Sequence, residues 1–396
     1  MLDWLVVGGG VHGTHLSLAL TARLGWHRDR VRVLDPHPAP LALWSHQTAN
    51  TGMAFMRSSL VHHLDLDPYG LKRFARTPEA ASVARFAAPF QRPSYALFQA
   101  HTRHVVAEND LDALRVQGRA RGLHRTPSGW RVDTEAGAID ARRVALAVGT
   151  TERPCWPGWA RALQEAGGRV HHLFEAGFDR ASVAEGERVA VVGGGISAAQ
   201  ASTTLAQRGP TVLVSRHEAR VHQFDADPGW LGPKRMAGFW REPCLAARRR
   251  AIADARHRGS IPPDVLRHLR RAIRRDRLTH TVAAIETAGA GPLDTIRLGL
   301  VLPDGSPSTV YADRVVLATG FEAARPGGAW LGEAVEAEEL PLAPCGYPRL
   351  GAGKEEGPLA WVPGLYAAGS LAELVLGPTA RNIAGARAAA DALPAP

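Results

Sequence analysis

The sequence predicts an α/β fold built from two parallel-sheet units, and three observations predict it. A short apolar run entering a glycine-rich turn and then an apolar-periodic stretch opens the chain as LVVGGGVHGTHLSLAL. The same pattern returns in mid-chain as VAVVGGGISAAQASTTL. Each copy is followed downstream by a buried-looking strand that ends near glycine, ARRVALAVGT (141–150) and ADRVVLATGF (312–321). Strands alternating with helical stretches read as parallel sheets with crossover helices. With 396 residues, 45% of them apolar and 21% charged, the chain can bury two sizeable cores and is too apolar for wholesale disorder.

In the first copy, Leu5 to Val7 reach Gly8-x-Gly10-x-x-Gly13, and a helical period runs from Leu16 to Leu24. Strand, tight turn and helix together form the setting a dinucleotide fingerprint requires. Gly8 allows the turn, Gly10 lets the backbone approach a diphosphate, and Gly13 lets the helix pack on the strand. The helix N-terminus then offers unpaired N–H groups and a positive dipole end. Next, VRVLD is a second strand ending in Asp35, where a carboxylate is placed to accept hydrogen bonds from ribose hydroxyls.

The second copy carries Gly193-x-Gly195-x-x-Ala198, with a small side chain in the third position. Its following strand, TVLVSRHEAR, ends in Ser215, Arg216 and His217 instead of an acid. An acid would repel a 2′-phosphate, whereas arginine with a hydroxyl can bind one through charge-assisted hydrogen bonds. The first site therefore suits a nucleotide with free ribose hydroxyls and the second suits NADPH. Two Rossmann-like halves with different ribose-reading residues imply two different dinucleotides.

Composition excludes other classes. Three scattered cysteines, Cys155, Cys244 and Cys345, give no disulfide framework, no metal cluster and no dithiol pair. The +9 net charge comes almost wholly from arginine, since only Lys72, Lys234 and Lys354 are lysines. Its densest stretch, Arg248 to Arg277, contains Val265, Leu266, Leu269, Ala272 and Ile273 at helical spacing, so it reads as the wet face of an amphipathic helix and not as a nucleic-acid track. No apolar run is long enough to span a membrane. An N-terminus without a basic region or cleavage site reads as cytoplasmic.

With these motifs the chain resembles the two-dinucleotide-binding-domain flavoproteins. The resemblance implies an NADPH domain (185–320, with a helical and loop segment on the substrate side at about 219–280) inserted into a split FAD domain (1–180 and 321–396). The C-terminal GLYAAGSLAELVLGPTARNIAGARAAADAL fits the closing segment: a strand over Leu365 to Ala368 ends at Gly369, and a helix starting at Pro378 to Arg381, including Thr379, points its N-terminus at the flavin. Ser370 stands where such proteins usually have aspartate. The chain lacks the cysteine pair of disulfide reductases and the F-x-G-x-x-x-H-x-x-x-W stretch of Baeyer–Villiger enzymes.

Within that group it is most similar to class B flavin monooxygenases that N-hydroxylate lysine or ornithine side chains. TGMAFMRSSLVHHLDLDPYGLKRFA resembles their flavin-loop segment, QRPSYALFQAHTRHVVAEN the following helix, GRVHHLFEA the strand before the NADP domain, and VVLATGF their ATG motif. The resemblance places the substrate-carboxylate residue at Arg57, which can grip a carboxylate or serve as a structural ion pair. It places asparagines near Ala237–Gly238 and Arg256–Arg258, and a serine near Ala384, where this chain has none of them. His62 or His63 is a candidate acid–base or substrate group, only one of the two facing any one site. Arg381 and Asn382 are placed beside the flavin, and Trp44, Trp230 and Trp240 are candidate pocket walls or packing residues.

The function implied is an NADPH-dependent FAD monooxygenase acting with O2 on a nucleophilic atom of a small molecule, an amine nitrogen first of all, through a flavin C4a-hydroperoxide. The alternatives are an NADPH-dependent flavin reductase passing electrons to a carrier protein or quinone, and a nucleotide-sensing flavoprotein. No metal and no nucleic acid are expected, and nothing marks an oligomer contact.

Overall fold

In the computed structural model, which describes residues 1–150, 153–351 and 356–396, the two glycine-rich turns close the middle strands of two separate parallel sheets. In the first sheet Leu2–Val7 lies between Val31–Asp35 and Gly137–Leu146, with Val6 opposite both Val33 and Ala145. Arg115–Gln117 extends one side, and Leu365–Ala367 joins the other in parallel, followed by antiparallel Ala360–Val362. Trp4, Leu5 and Val6 have no exposed surface, as a central strand covered on both faces requires. The C-terminal segment thus returns to the sheet the N-terminus began, so the first unit is split around the second.

The second sheet has Val189–Val192 in the middle, flanked by Thr211–Ser215 and Arg314–Leu317, with Leu278–Val282 and Val170–His172 at its edges, all parallel. A three-stranded antiparallel sheet (Ala284–Ala290, Ile296–Val301, Pro307–Ala312) buries Ile296, Leu298 and Leu300 against it. Here the sequence boundary shifts. The sequence pattern places residues up to 180 in the first unit, yet Val170–His172 pairs with Arg314–Leu317, and Ala160 packs in the second unit's core. The chain crosses between units near Pro154, which bridges to Phe321 on the return crossing; Cys155 N–H donates to the Gly320 carbonyl at 2.9 Å. Three residues of strand are too few for a period-2 signal to be read.

The arginine-rich stretch forms two helices, Leu245–Ala255 and Pro263–Arg274. In the second, Val265 and Leu269 are buried while Arg267, Arg270, Arg271 and Arg274 are exposed, as the amphipathic pattern predicts. The last helix is Ile383–Asp391, starting after the expected 378–381 because Thr379 to Asn382 are taken up by a turn: Asn382 N–H donates to the Thr379 carbonyl. Among the described residues no helix is long and apolar enough to cross a membrane. Of the loop over 340–358, residues 352–355 lie outside the described residues.

Candidate active site

A cavity of about 590 Å³ runs along the C-terminal ends of the first sheet's strands, the position open parallel sheets give their ligands. One end is built by Asp35. Its carboxylate accepts from Gly9 N–H at 2.5 Å and His37 N–H at 2.9 Å. Two amides leave the carboxylate capacity for further donors, and Asp35 lines the cavity with Gly118 and Arg119. The carboxylate thus stands at the end of its strand and opens on the cavity.

Beside it the turn is shaped by its glycines. A Cβ on Gly13 would stand 1.6 Å from the Gly8 carbonyl oxygen, and one on Gly8, whose φ is +108°, would stand 2.5 Å from the Ala147 oxygen. Those two glycines serve the fold. Gly10 differs, because a Cβ there meets nothing within 4 Å; the space it leaves belongs to the cavity. The helix Val11–Leu18 starts behind it with no side-chain cap, so its first amides are available to an anion. Residues and space together fit the diphosphate and adenosine of FAD.

The far end is built from the C-terminal segment. Gly369 and Ser370, then Arg381, Asn382 and Ile383, line the cavity. Asn382 occupies the N-cap position of Ile383–Asp391, but its side chain donates to Asp225 Oδ1 at 3.2 Å instead of capping. The helix's positive end therefore faces the cavity without a side-chain cap. Thr379, expected here, does not line the cavity; its side chain is buried in the turn before the helix. Arg381 Nη2 reaches Glu373 Oε2 at 3.1 Å. Glu373 is fully buried and also holds Arg256 at 2.6 Å and Arg249. Burial pulls the Arg256 guanidinium down to about 9, and burial lowers Arg381 as well.

Arg57 lines the same end, but much of its guanidinium is committed. Nε donates to the Gln223 carbonyl, and Nη2 to the His222 carbonyl and the Ser260 hydroxyl, each at 2.9 Å. Arg57 thus ties the 219–280 segment to the first unit and keeps Nη1 as its remaining donor nitrogen. Met53, Met56, Trp44 and Phe224 supply apolar wall. Trp44 also packs on Phe98 at 5.2 Å, whereas Trp240 is exposed. His62 does not line the cavity. His63 is buried away from it, edge-on to His101 with Nε2 on the Pro68 carbonyl, so neither of the paired histidines reaches the site.

The second fingerprint opens on the same cavity. Its helix, Ile196–Leu205, contributes Ile196, Ser197 and Gln200 to the lining. Gly193, at φ +152°, would clash with the Ala318 oxygen if it carried a Cβ, and Ala198 is buried against the sheet. Arg216 is exposed and forms no ion pair among the described residues, which leaves it available to a 2′-phosphate. Ser215 is not available. Its hydroxyl donates to the His217 carbonyl at 2.9 Å and pairs with His280 Nε2 at 2.8 Å. His217 lies over Gly194 instead, its ring 2.8 Å from where a Cβ would stand.

Sequence reasoning missed three residues here. Asp225 and Glu373 have no local motif; Asp225 meets Asn382 157 positions later, and of the three arginines on Glu373 only Arg381 is near it in sequence. His12 sits inside the fingerprint and lines the cavity, at one of the positions the motif leaves free.

Two family models match the chain: FAD-NAD(P)-binding over residues 5–151, and L-lysine 6-monooxygenase/L-ornithine 5-monooxygenase over 120–323. No curated protein sequence matches. Among solved structures, an ornithine hydroxylase from Pseudomonas aeruginosa is 20% identical, with 98% of this chain and 97% of that one covered and a TM-score of 0.73. An ornithine N-hydroxylase from Kutzneria sp. 744, described with reduced FAD, NADP+ and L-ornithine, is 18% identical over 98% and 97% with a TM-score of 0.74. A cadaverine monooxygenase from Erwinia amylovora, described bound to FAD, is 13% identical over 98% and 92% with a TM-score of 0.73.

Proposed function

Because the chain belongs to the L-lysine 6-monooxygenase/L-ornithine 5-monooxygenase family, we propose that it hydroxylates the nitrogen of a small amine that also carries an anionic group, using FAD and NADPH. The observation that carries the substrate class is the charge at the far end of the cavity. Arg57, Arg381 and Asp225 line that end, and behind them buried Glu373 holds Arg249, Arg256 and Arg381, so four guanidiniums stand against two carboxylates, an excess of two positive charges. A partly desolvated surplus of guanidinium favours an anion and disfavours a second ammonium.

Each element has a task in this reading. Asp35 accepts the ribose hydroxyls, and the Gly8–Gly10 turn with its helix end holds the diphosphate. The uncapped N-terminus of Ile383–Asp391 stabilises negative charge beside the ring. When bound, the flavin supplies electron transfer from NADPH and activation of O2. Arg381, fixed by Glu373, and Nη1 of Arg57 orient the anionic group of the substrate. Met53, Met56 and Phe224 exclude water from the reacting end. Ser197 and Gln200 lie on the face from which the second nucleotide approaches. Cys155, Cys244 and Cys345 are free and unpaired, so electrons have no dithiol route to a carrier.

The test compares L-ornithine, L-lysine and cadaverine by NADPH consumption coupled to hydroxylamine formation. The carboxylate-bearing amines are expected to exceed cadaverine at least tenfold in kcat/KM. Equal values, or faster turnover of cadaverine, would overturn the assigned substrate class.

A further inference from the structure

Asp225 carries a charge that the fold leaves unanswered. Its backbone is fixed from two sides. Arg57 holds the carbonyls of His222 and Gln223 just before it, and His257 N–H donates to the Asp225 carbonyl at 2.8 Å, beside the bridge between Ala226 and Arg256. The half-buried side chain lines the cavity next to Phe224. Oδ1 accepts from Asn382 at 3.2 Å, whereas Oδ2 has no partner among the described residues and is not sealed from solvent.

Three arginines stand close enough to feel this carboxylate, yet none pairs with it. Burial lowers the guanidiniums of Arg57, Arg256 and Arg381, and the Asp225 charge opposes that in each. Arg57 commits Nε and Nη2 to two carbonyls and the Ser260 hydroxyl, while Arg256 and Arg381 turn to Glu373. Two opposite charges therefore face one cavity without meeting, Asp225 through Oδ2 and Arg57 through Nη1. Water can solvate both while the cavity is wet. Once ligands displace that water, each charge needs a counter-charge. A head group carrying an ammonium and a carboxylate on one carbon supplies both, each through a charge-assisted hydrogen bond. A diamine supplies only the cation, and an amino acid without its α-amine only the anion.

We propose that Asp225 is a specificity-determining residue of the hydroxylation, its carboxylate accepting from the α-ammonium of an amino acid whose side-chain amine is the reacting group. The inference rests on the reading of this cavity as an amine-hydroxylation site, and it narrows the substrate from an amine with an anionic group to one with a zwitterionic head.

The experiment measures hydroxylamine formation by the holoenzyme at saturating NADPH with L-ornithine and with 5-aminopentanoate, which keeps the carboxylate and the distal amine and lacks the α-ammonium. Wild type is expected to favour ornithine about tenfold or more in kcat/KM. Asp225→Asn keeps an acceptor for Asn382 and loses the charge. It is expected to raise the KM for ornithine about tenfold with little change in kcat, and to lose no efficiency toward 5-aminopentanoate, so that the preference collapses. Asp225→Glu, which keeps the charge, is expected to recover part of the preference. Equal losses toward both compounds would overturn the proposal, because Asp225 would then act only by holding Asn382 and the cavity wall. So would a wild type that does not prefer ornithine, or an asparagine variant that still does. Wild-type protein that hydroxylates neither compound, nor cadaverine, would overturn the hydroxylation reading itself, a result distinct from all of these.

Discussion

Gly10→Ala separates cofactor binding from folding. In the protein alone, a methyl at this position meets nothing within 4 Å, and the backbone at φ −71°, ψ −168° is open to alanine. The cost to the fold is confined to a poorer N-cap residue, at most about 1 kcal/mol, or a few degrees in melting temperature. If a diphosphate passes over this backbone, the methyl occupies its path. Overpacking of that kind costs about 1–3 kcal/mol, which weakens FAD about 5- to 150-fold. Gly13→Ala is the contrast, since its Cβ would stand 1.6 Å from the Gly8 oxygen. Reaching even 3.0 Å requires a 1.4 Å displacement (3.0 less 1.6) of packed backbone, so that variant should fail to fold. The assay pairs thermal melting of flavin-free protein with an FAD titration. Near-wild-type FAD affinity in Gly10→Ala would refute the placement of the diphosphate.

Other expectations follow from the same geometry. Arg216→Ala should raise the KM for NADPH about tenfold and leave that for NADH unchanged; equal effects on both would remove Arg216 from the phosphate site. Glu373→Gln leaves Arg249, Arg256 and Arg381 around an uncharged group in the interior, and breaking a buried pair on one side costs about 3–5 kcal/mol. A melting temperature within a degree of wild type would show that solvent reaches the cluster. Burial pushes the imidazoles of His12, His15 and His172 down to about 4 and that of His63 to about 3. Between pH 6.5 and 4 the unfolded chain therefore takes up protons that the folded chain refuses. Stability should rise with pH through that window and be fully present above 6.5. A melting temperature that stays level from pH 6.5 to 4 would refute burial of these rings in their neutral form.

What could be read from sequence is what depends on local backbone. Gly8, Gly13 and Asp35 act through a turn and the strand beside it, so their spacing is sufficient to place them, and the duplicated pattern locates both sheets. Residues whose role depends on distant partners escaped. Ser215 resembles a phosphate ligand only until His280, 65 positions later, takes its hydroxyl. Arg57 resembles a free carboxylate grip until the backbone of residues 222–223 folds over it. Adjacent His62 and His63 stand out in the sequence, yet neither lines the cavity. A histidine that lines the cavity is His12, whose neighbours in sequence are Val11 and Gly13 and whose neighbours in space are Gly369 and the 381–382 backbone. The crossing near 154, against 180 from the sequence, is not legible locally because its marker, Val170–His172, is defined by what it pairs with and not by its composition.

Both fingerprints open on one cavity. The most direct test of this is to load the chain with FAD, remove free flavin, exclude oxygen and mix with NADPH while recording the visible flavin absorbance. Rapid bleaching, faster with NADPH than with NADH, is the predicted result. A chain that retains FAD and keeps its full colour in saturating NADPH would contradict the shared cavity.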